Sequence, residues 1–177
     1  PLSGCLLNRT SPTIALTYVD VCLQLFRGLA TLAKKNRNHQ DIKPNNIGVL
    51  LPKRVFLIDW GSSKDLSKFA DVHHATKEFV WEADRDFWDE FKDRGQLTDY
   101  QELMKARDVF ALAVALYRML IGEHTNPYET NDRGYATGPI ELDYDKLADN
   151  HAPEELVNLI EDCLCPSYQS RPTAQQA

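Results

Sequence analysis

"HQDIKPNNIGVL", residues 39–50, is the stretch on which the reading of this chain turns. His39, Asp41, Lys43 and Asn46 crowd into its first two-thirds, and the stretch then becomes apolar. Pro44, Asn45 and Asn46 punctuate it as a loop. Ile47-Gly48-Val49-Leu50-Leu51 reads as a β-strand, and Val55-Phe56-Leu57-Ile58 as a second. Pro52-Lys53 between them reads as a tight turn. Such a hairpin brings Asn46, entering its first strand, and Asp59, leaving its second, to the same end. Asp41 and Lys43 are two apart, so in extended backbone they point the same way.

These residue types fit one chemistry in particular. Phosphoryl transfer needs a carboxylate near the incoming hydroxyl, a cation beside the moving group and a few oxygen ligands for magnesium. Asp41, Lys43, Asn46 and Asp59 supply that set. Taken singly, Asp41 reads as a turn cap and Asn45-Asn46 as ordinary loop residues. The combination carries the inference.

Outward from this loop the chain reads as mainly helical. Ser11-Pro12-Thr13 marks a helix start. Leu16, Val19, Leu23, Phe26, Ala30 and Ala33 follow at three-four spacing, which predicts one buried face. Residues 34–38 end that helix. Residues 60–83 read as a long loop, and 84–107 as charged with helical character around Phe87, Trp88 and Phe91. The run "DVFALAVALYRMLIG", starting at Asp108, is apolar nearly all round and predicts a helix buried on most sides, with Gly122 at its end. Residues 123–150 read as mostly loop, and Pro153-Glu154-Glu155 opens a last helix with Leu156, Leu159, Ile160 and Cys163 on one face.

With 177 residues, 43% of them hydrophobic and 26% charged, the chain suits one soluble domain with a sizeable core. The net charge of −6 argues against nucleic-acid binding. No apolar run is long enough to span a bilayer, so no membrane partner is expected. Cys5, Cys22, Cys163 and Cys165 lack zinc spacing and read as reduced thiols, which suits an intracellular protein, cytoplasmic or nuclear. The missing initiator Met makes the chain read as a piece of a longer one.

"HQDIKPNN" resembles the protein-kinase catalytic loop H-R-D-x-K-x-x-N, and "IDWG" resembles the D-F-G metal-binding motif. "RDVFALAVALYRMLIG" is similar to the buried central helix of the large kinase lobe, and "CLCPSYQSRPTAQQA" to the stretch that closes it. The resemblance implies a mainly α fold with a small β-hairpin: the large, C-terminal lobe of an α+β two-lobed kinase, covering residues 1–177. It implies ATP and magnesium as cofactors and a protein substrate carrying Ser or Thr, because Lys43 follows Asp41 by two. Asp41 would orient or accept the substrate proton, Lys43 would contact the γ-phosphate, and Asn46 and Asp59 would hold magnesium. His39 would pack the loop, Asp108 would brace it through backbone amides, and Arg171 would pair with a buried acid, with Glu82 the candidate.

Several positions depart from the pattern. Gln40 replaces an arginine that pairs with a phosphorylated activation loop in many kinases, so activity is not expected to depend on that phosphorylation. Trp60 replaces phenylalanine, with a bulk compatible with packing under the nucleotide. The A-P-E signature is unclear around Glu82, and the distance from there to Asp108 implies an insertion. Its acids Asp84, Asp86, Asp89, Glu90 and Asp93 read as a solvated helix face, or alternatively as a docking surface for a basic substrate. No Gly-rich loop precedes Pro1, and "PLSGCLL" resembles the segment after the interlobe hinge. An N-terminal lobe is therefore expected upstream, and little activity from these residues alone. The competing readings are a pseudokinase acting as a binding module, and a small-molecule phosphotransferase of the aminoglycoside- or choline-kinase type.

Overall fold

A computed structural model describes residues 12–50 (backbone alone up to 17), 54–70, 75–122 and 125–177. The expected cap at Ser11, the turn at Pro52-Lys53, Cys5 and the hinge-like "PLSGCLL" lie outside these residues.

The chain opens with helix α1 (Pro12–Lys34) and a short strand β1 (Arg37–Asn38). The catalytic-type loop follows and closes in a 3-10 turn, Pro44–Asn46. Strands β2 (Ile47–Leu50) and β3 (Arg54–Leu57) form the expected antiparallel hairpin, with Ile47 opposite Leu57 and Gly48 opposite Phe56. Its inner residues Ile47 and Leu57 are buried, and the amide of Val55 bonds Gln24 of α1 at 3.0 Å. A further 3-10 turn, Trp60–Ser62, leads to β4 (Lys64–Asp65), which pairs with β1. The segment expected to be plain loop is therefore tied back to the residues just before His39.

Helices α2 (Glu82–Asp93) and α3 (Leu97–Ile121) come next, separated by Gly95 at φ 69°. That left-handed turn suits glycine and ends α2. The central helix begins at Leu97, a good deal earlier than Asp108. Tyr100, Leu103, Met104 and Arg107 form an i, i+3, i+4, i+7 stripe that extends it backwards, and all four are buried. Residues 109–117 of α3 are buried all round, as the uninterrupted apolar run predicts. Strands β5 (Glu129–Thr130) and β6 (Ala136–Thr137), helix α4 (Tyr144–Asp149) and helix α5 (Glu154–Cys163) complete the order. The stretch read as mostly loop thus holds a small ribbon and a short helix.

The core gathers around α3. Helix α1 contributes Val21, Cys22, Leu25, Phe26 and Leu29, and α5 contributes Leu156, Val157, Ile160 and Cys163. The stripe expected on α1 is corrected here: Val19 and Leu23 are more than a third exposed. The sequence carries two apolar stripes that share Phe26, and the one through Cys22, Leu25 and Leu29 faces α3. Fully burying each such side chain contributes roughly 1.5–3 kcal/mol. A second cluster joins Trp88 and Phe91 of α2 to Tyr100, Leu103 and Met104 of α3. Cys22, Cys163 and Cys165 are free thiols, and burial pushes the first two up to about 12. No helix among the described residues is long and apolar enough to cross a membrane.

Candidate active site

Asp108, buried inside α3, organises the loop. Its Oδ2 accepts the amide of His39 at 2.6 Å and its Oδ1 the amide of Gln40 at 3.0 Å. Burial pushes the Asp108 carboxyl above its ordinary value, and those two amides pull against it. The two bonds hold Gln40 at φ 70°, a left-handed conformation that costs a side-chain-bearing residue roughly 1–2 kcal/mol. His39 donates from Nε2 to the carbonyl of Ile58 at 3.0 Å, and its ring lies 4.8 Å from that of Trp60. The histidine therefore joins the loop to the turn that carries Asp59. Trp60 packs sideways on His39 and remains about half exposed.

Asp41 sits at the centre of a hydrogen-bonded network. Thr76 donates to its Oδ1 from Oγ1 at 2.6 Å and from the backbone amide at 3.2 Å. Lys43 Nζ lies 2.9 Å from Oδ2 and also donates to Thr76 Oγ1 at 3.0 Å. Asn46 Nδ2 donates to Oδ2 at 3.0 Å and to the Asp41 carbonyl at 2.7 Å. Burial pushes the Asp41 carboxyl up, but the bonds from Lys43 and Thr76, with the charge of Lys43, outweigh it and hold it below the ordinary aspartate value. The native state thus favours the ionised form. Its contribution to stability is complete above the unfolded value near 4 (about 3.9) and is lost as pH falls through the lower native value. The stability difference between the wild type and Asp41→Asn in urea melts should therefore narrow below about pH 4. A difference unchanged from pH 7 to pH 3 would contradict this.

Asn46 and Asp59 stand at the same end of the hairpin, where Ile58 donates to the Asn46 carbonyl at 2.9 Å. Both Asn46 Nδ2 bonds go to Asp41, so Oδ1 stands outside that network. Asp59 is exposed, lies at φ 59°, and among the described residues accepts only a long 3.4 Å bond from Gly61. A left-handed aspartate leaving a strand is the kind of strain that collects at functional sites. One amide oxygen and one free carboxylate fit magnesium, which keeps few protein ligands and shares the rest with phosphate and water.

The segment that carries Thr76 is pinned to α3. Arg118 pairs with Glu78 at 3.0 Å and lies over the ring of Phe79, and Tyr128 donates to the Glu78 carbonyl. Farther down, Arg171 pairs with Asp84 at 2.6 Å, with side-chain exposures of 0% and 1%. This corrects the expectation for Glu82. Glu82 instead accepts from Arg133, Asn131 and Thr137 nearer the surface. The helical period explains the difference: Asp84, Trp88 and Phe91 share one face of α2 and are buried together. Of the remaining acids, Asp89 and Glu90 pair with Arg85 and Arg94. The face of α2 opposite Asp84 is solvated.

A family model described as the protein kinase domain matches residues 6–177. The chain belongs to the protein kinase family. It is also 29% identical over 134 residues to a protein of Dictyostelium discoideum described as a probable serine/threonine-protein kinase, ireA. That alignment covers 75% of this chain and 13% of the relative, so the chain matches a small part of the relative's length. The mainly helical lobe with its small hairpin is the fold expected of the family's large lobe.

Three residues of this kinase site escaped the sequence reading in their structural roles. Thr76 gave no spacing signal of its own, because the segment before α2 has no periodicity. Asp84 was read among the acids of a solvated face, although its helical phase with Trp88 marks it as buried. Arg107 lies buried beside Asp84 and Asp108, and lines a cavity of about 10 Å³ with Gln40 and Asn38. It sets a buried cation next to the loop position where Gln40 carries none. Arg107 Nε and Asn38 Nδ2 have no partner among the described residues.

The place of Thr76 makes a prediction about regulation. A Thr76→Glu change puts a carboxylate against that of Asp41, and like charges at such range oppose each other by several kcal/mol. Phosphotransfer by that variant should fall at least about tenfold. A strong rise in activity would contradict both this geometry and the reading of Gln40.

Proposed function

We propose that this kinase-family chain carries the catalytic groups for transferring the γ-phosphoryl group of ATP to Ser or Thr hydroxyls of a protein. The observation that carries the reading is the closed network of Asp41, Lys43, Thr76 and Asn46, with exposed Asp59 at the adjoining hairpin end. Asp41, ionised at neutral pH, orients the incoming hydroxyl and takes up its proton. Lys43 brings a positive charge to the position where the phosphoryl group moves, and its own orientation is fixed by Asp41 and Thr76. Asn46 and Asp59 would hold the magnesium ion, whose chemistry is to neutralise phosphate charge during transfer.

The intact carboxylates and the strained, exposed Asp59 favour catalysis over a pseudokinase acting only as a binding module. Lys43 and the buried Arg171–Asp84 pair favour a protein kinase over a small-molecule phosphotransferase. We infer also that a second lobe, outside these 177 residues, covers the nucleotide, which the open apolar face of Phe56, Ile58 and Trp60 supports. The free, buried thiols support an intracellular setting.

The test is phosphoamino-acid analysis of protein acceptors labelled by the full-length protein from magnesium-ATP. The expected products are phosphoserine and phosphothreonine. Phosphotyrosine alone would overturn the Ser/Thr assignment, and no label beyond background would favour the binding module.

A further inference from the structure

The β5–β6 ribbon meets the chain just beyond Thr76 and props a cation there. Ala136 donates its amide to the carbonyl of Val80 at 3.0 Å and forms a bridge with Trp81. The ribbon is therefore fixed to the segment that holds Thr76 against Asp41. Its turn includes Gly134 at φ 85°, a left-handed conformation that suits glycine. A Cβ built on Gly134 would stand 3.8 Å from Lys77 Cδ and 3.9 Å from Lys77 Cβ, so the turn packs on the stem of that lysine. The next residue, Tyr135, has the Lys77 ammonium over its ring at 5.6 Å and the Arg133 guanidinium at 5.8 Å. Cations at that range are drawn to the π-face. Lys77 is exposed, and among the described residues it forms no ion pair. Arg133 is exposed too but pairs with Glu82, and Glu78, beside Lys77 in the chain, pairs with Arg118. Lys77 thus presents an unpaired positive charge on a supported stem, in a chain whose net charge is −6.

That charge stands next to the place where the acceptor must lie. Thr76 bonds both Asp41 and Lys43, so a hydroxyl that reaches Asp41 does so beside residue 76. In an extended substrate the neighbouring residue lies about 3.3 Å farther along. On one side of the acceptor that step leads over residue 77. We propose that Lys77, propped by Gly134 and Tyr135, is a specificity-determining residue that selects substrates with an acidic residue immediately beside the acceptor Ser or Thr. The inference rests on the phosphotransfer reading given above and adds the class of sequence it accepts. An acidic side chain there gains a charge-assisted hydrogen bond from the ammonium, and a basic one meets like charge. Arg133 extends the positive field around the same ring.

The experiment measures kcat/KM of the full-length protein with magnesium-ATP and a set of peptides. Each peptide has one serine, with Glu, Ala or Lys placed immediately before it or immediately after it in an otherwise neutral sequence. On one of the two sides the wild type should prefer Glu to Lys about tenfold, and the preference should shrink as salt is raised. Lys77→Glu should invert the order on that side, so that Lys is preferred to Glu. A lysine that only supported the fold would change the rates of all peptides alike and leave their order. Lys77→Ala should flatten the preference, and it serves as the readout if the glutamate variant does not fold. A wild type indifferent to charge on both sides, or favouring Lys, overturns the proposal, as does a preference kept unchanged in Lys77→Glu or Lys77→Ala. In each of these cases label on serine leaves the phosphotransfer reading standing, and only the selection by Lys77 falls. No label in any peptide overturns the two together.

Discussion

Asp84→Ala should destabilise the protein by about 3–5 kcal/mol, the loss typical of removing one partner of a buried ion pair. Arg171 would keep its bonds to the carbonyls of Cys165 and Pro166 and its place over the Phe110 ring. Its charge would remain in the core without a carboxylate. Arg107 lies in the same region and would add like charge. Burial pushes the Asp84 carboxyl up and the two arginines draw it back, so the pair is held by its geometry and not by solvent. The pair ties α2 to the closing segment after α5, so its loss should also loosen the support beneath Thr76. Glu82→Gln is the comparison, because Glu82 bonds Arg133 near the surface, where such pairs are screened. Urea unfolding at neutral pH separates the two. A large loss in Glu82→Gln with a small one in Asp84→Ala would contradict the assignment.

Asp41→Asn should lower the phosphotransfer rate by roughly 10²–10⁴-fold while leaving ATP affinity nearly unchanged. The asparagine can still accept from Thr76 at Oδ1, which should keep residue 41 in place, but its Nδ2 would stand as a donor against Lys43 and Asn46. It cannot take up a proton, and it removes the negative charge that Lys43 balances. A loss confined to kcat is the signature of a group that acts on the reacting hydroxyl. A variant within a few-fold of the wild type would show that Asp41 is only a structural acceptor for Asn46 and Thr76.

Much of this site was legible because its signals are local. The hairpin follows from two β-rich runs with turn residues between them, and it fixes Asn46 and Asp59 at one end. Asp108 was legible as a brace through the resemblance of its helix to the central helix of the kinase large lobe, and the structure places the backbone amides of residues 39 and 40 on its carboxylate. Long-range choices were less legible. Helix α1 offers two apolar stripes of similar quality, and only its packing on α3 selects the one through Leu25. Asp84 and Glu82 differ by one helical phase, which Trp88 and Phe91 reveal once α2 is treated as a helix in its own right. The role of Thr76 depends on Arg118 and Tyr128 pinning residues 78–79, contacts that sequence spacing does not encode.

The central claim is that the Asp41 loop and the Asp59 turn work as one phosphoryl-transfer site. It is tested most directly by comparing the wild type and Asp59→Asn of the full-length protein in a magnesium-ATP phosphotransfer assay. Asp59 makes little contact with the rest of the chain, so its loss should not disturb folding. The account predicts a fall of about 100-fold or more, the usual consequence of removing one such charge-stabilising group. Equal rates for the two proteins would contradict it.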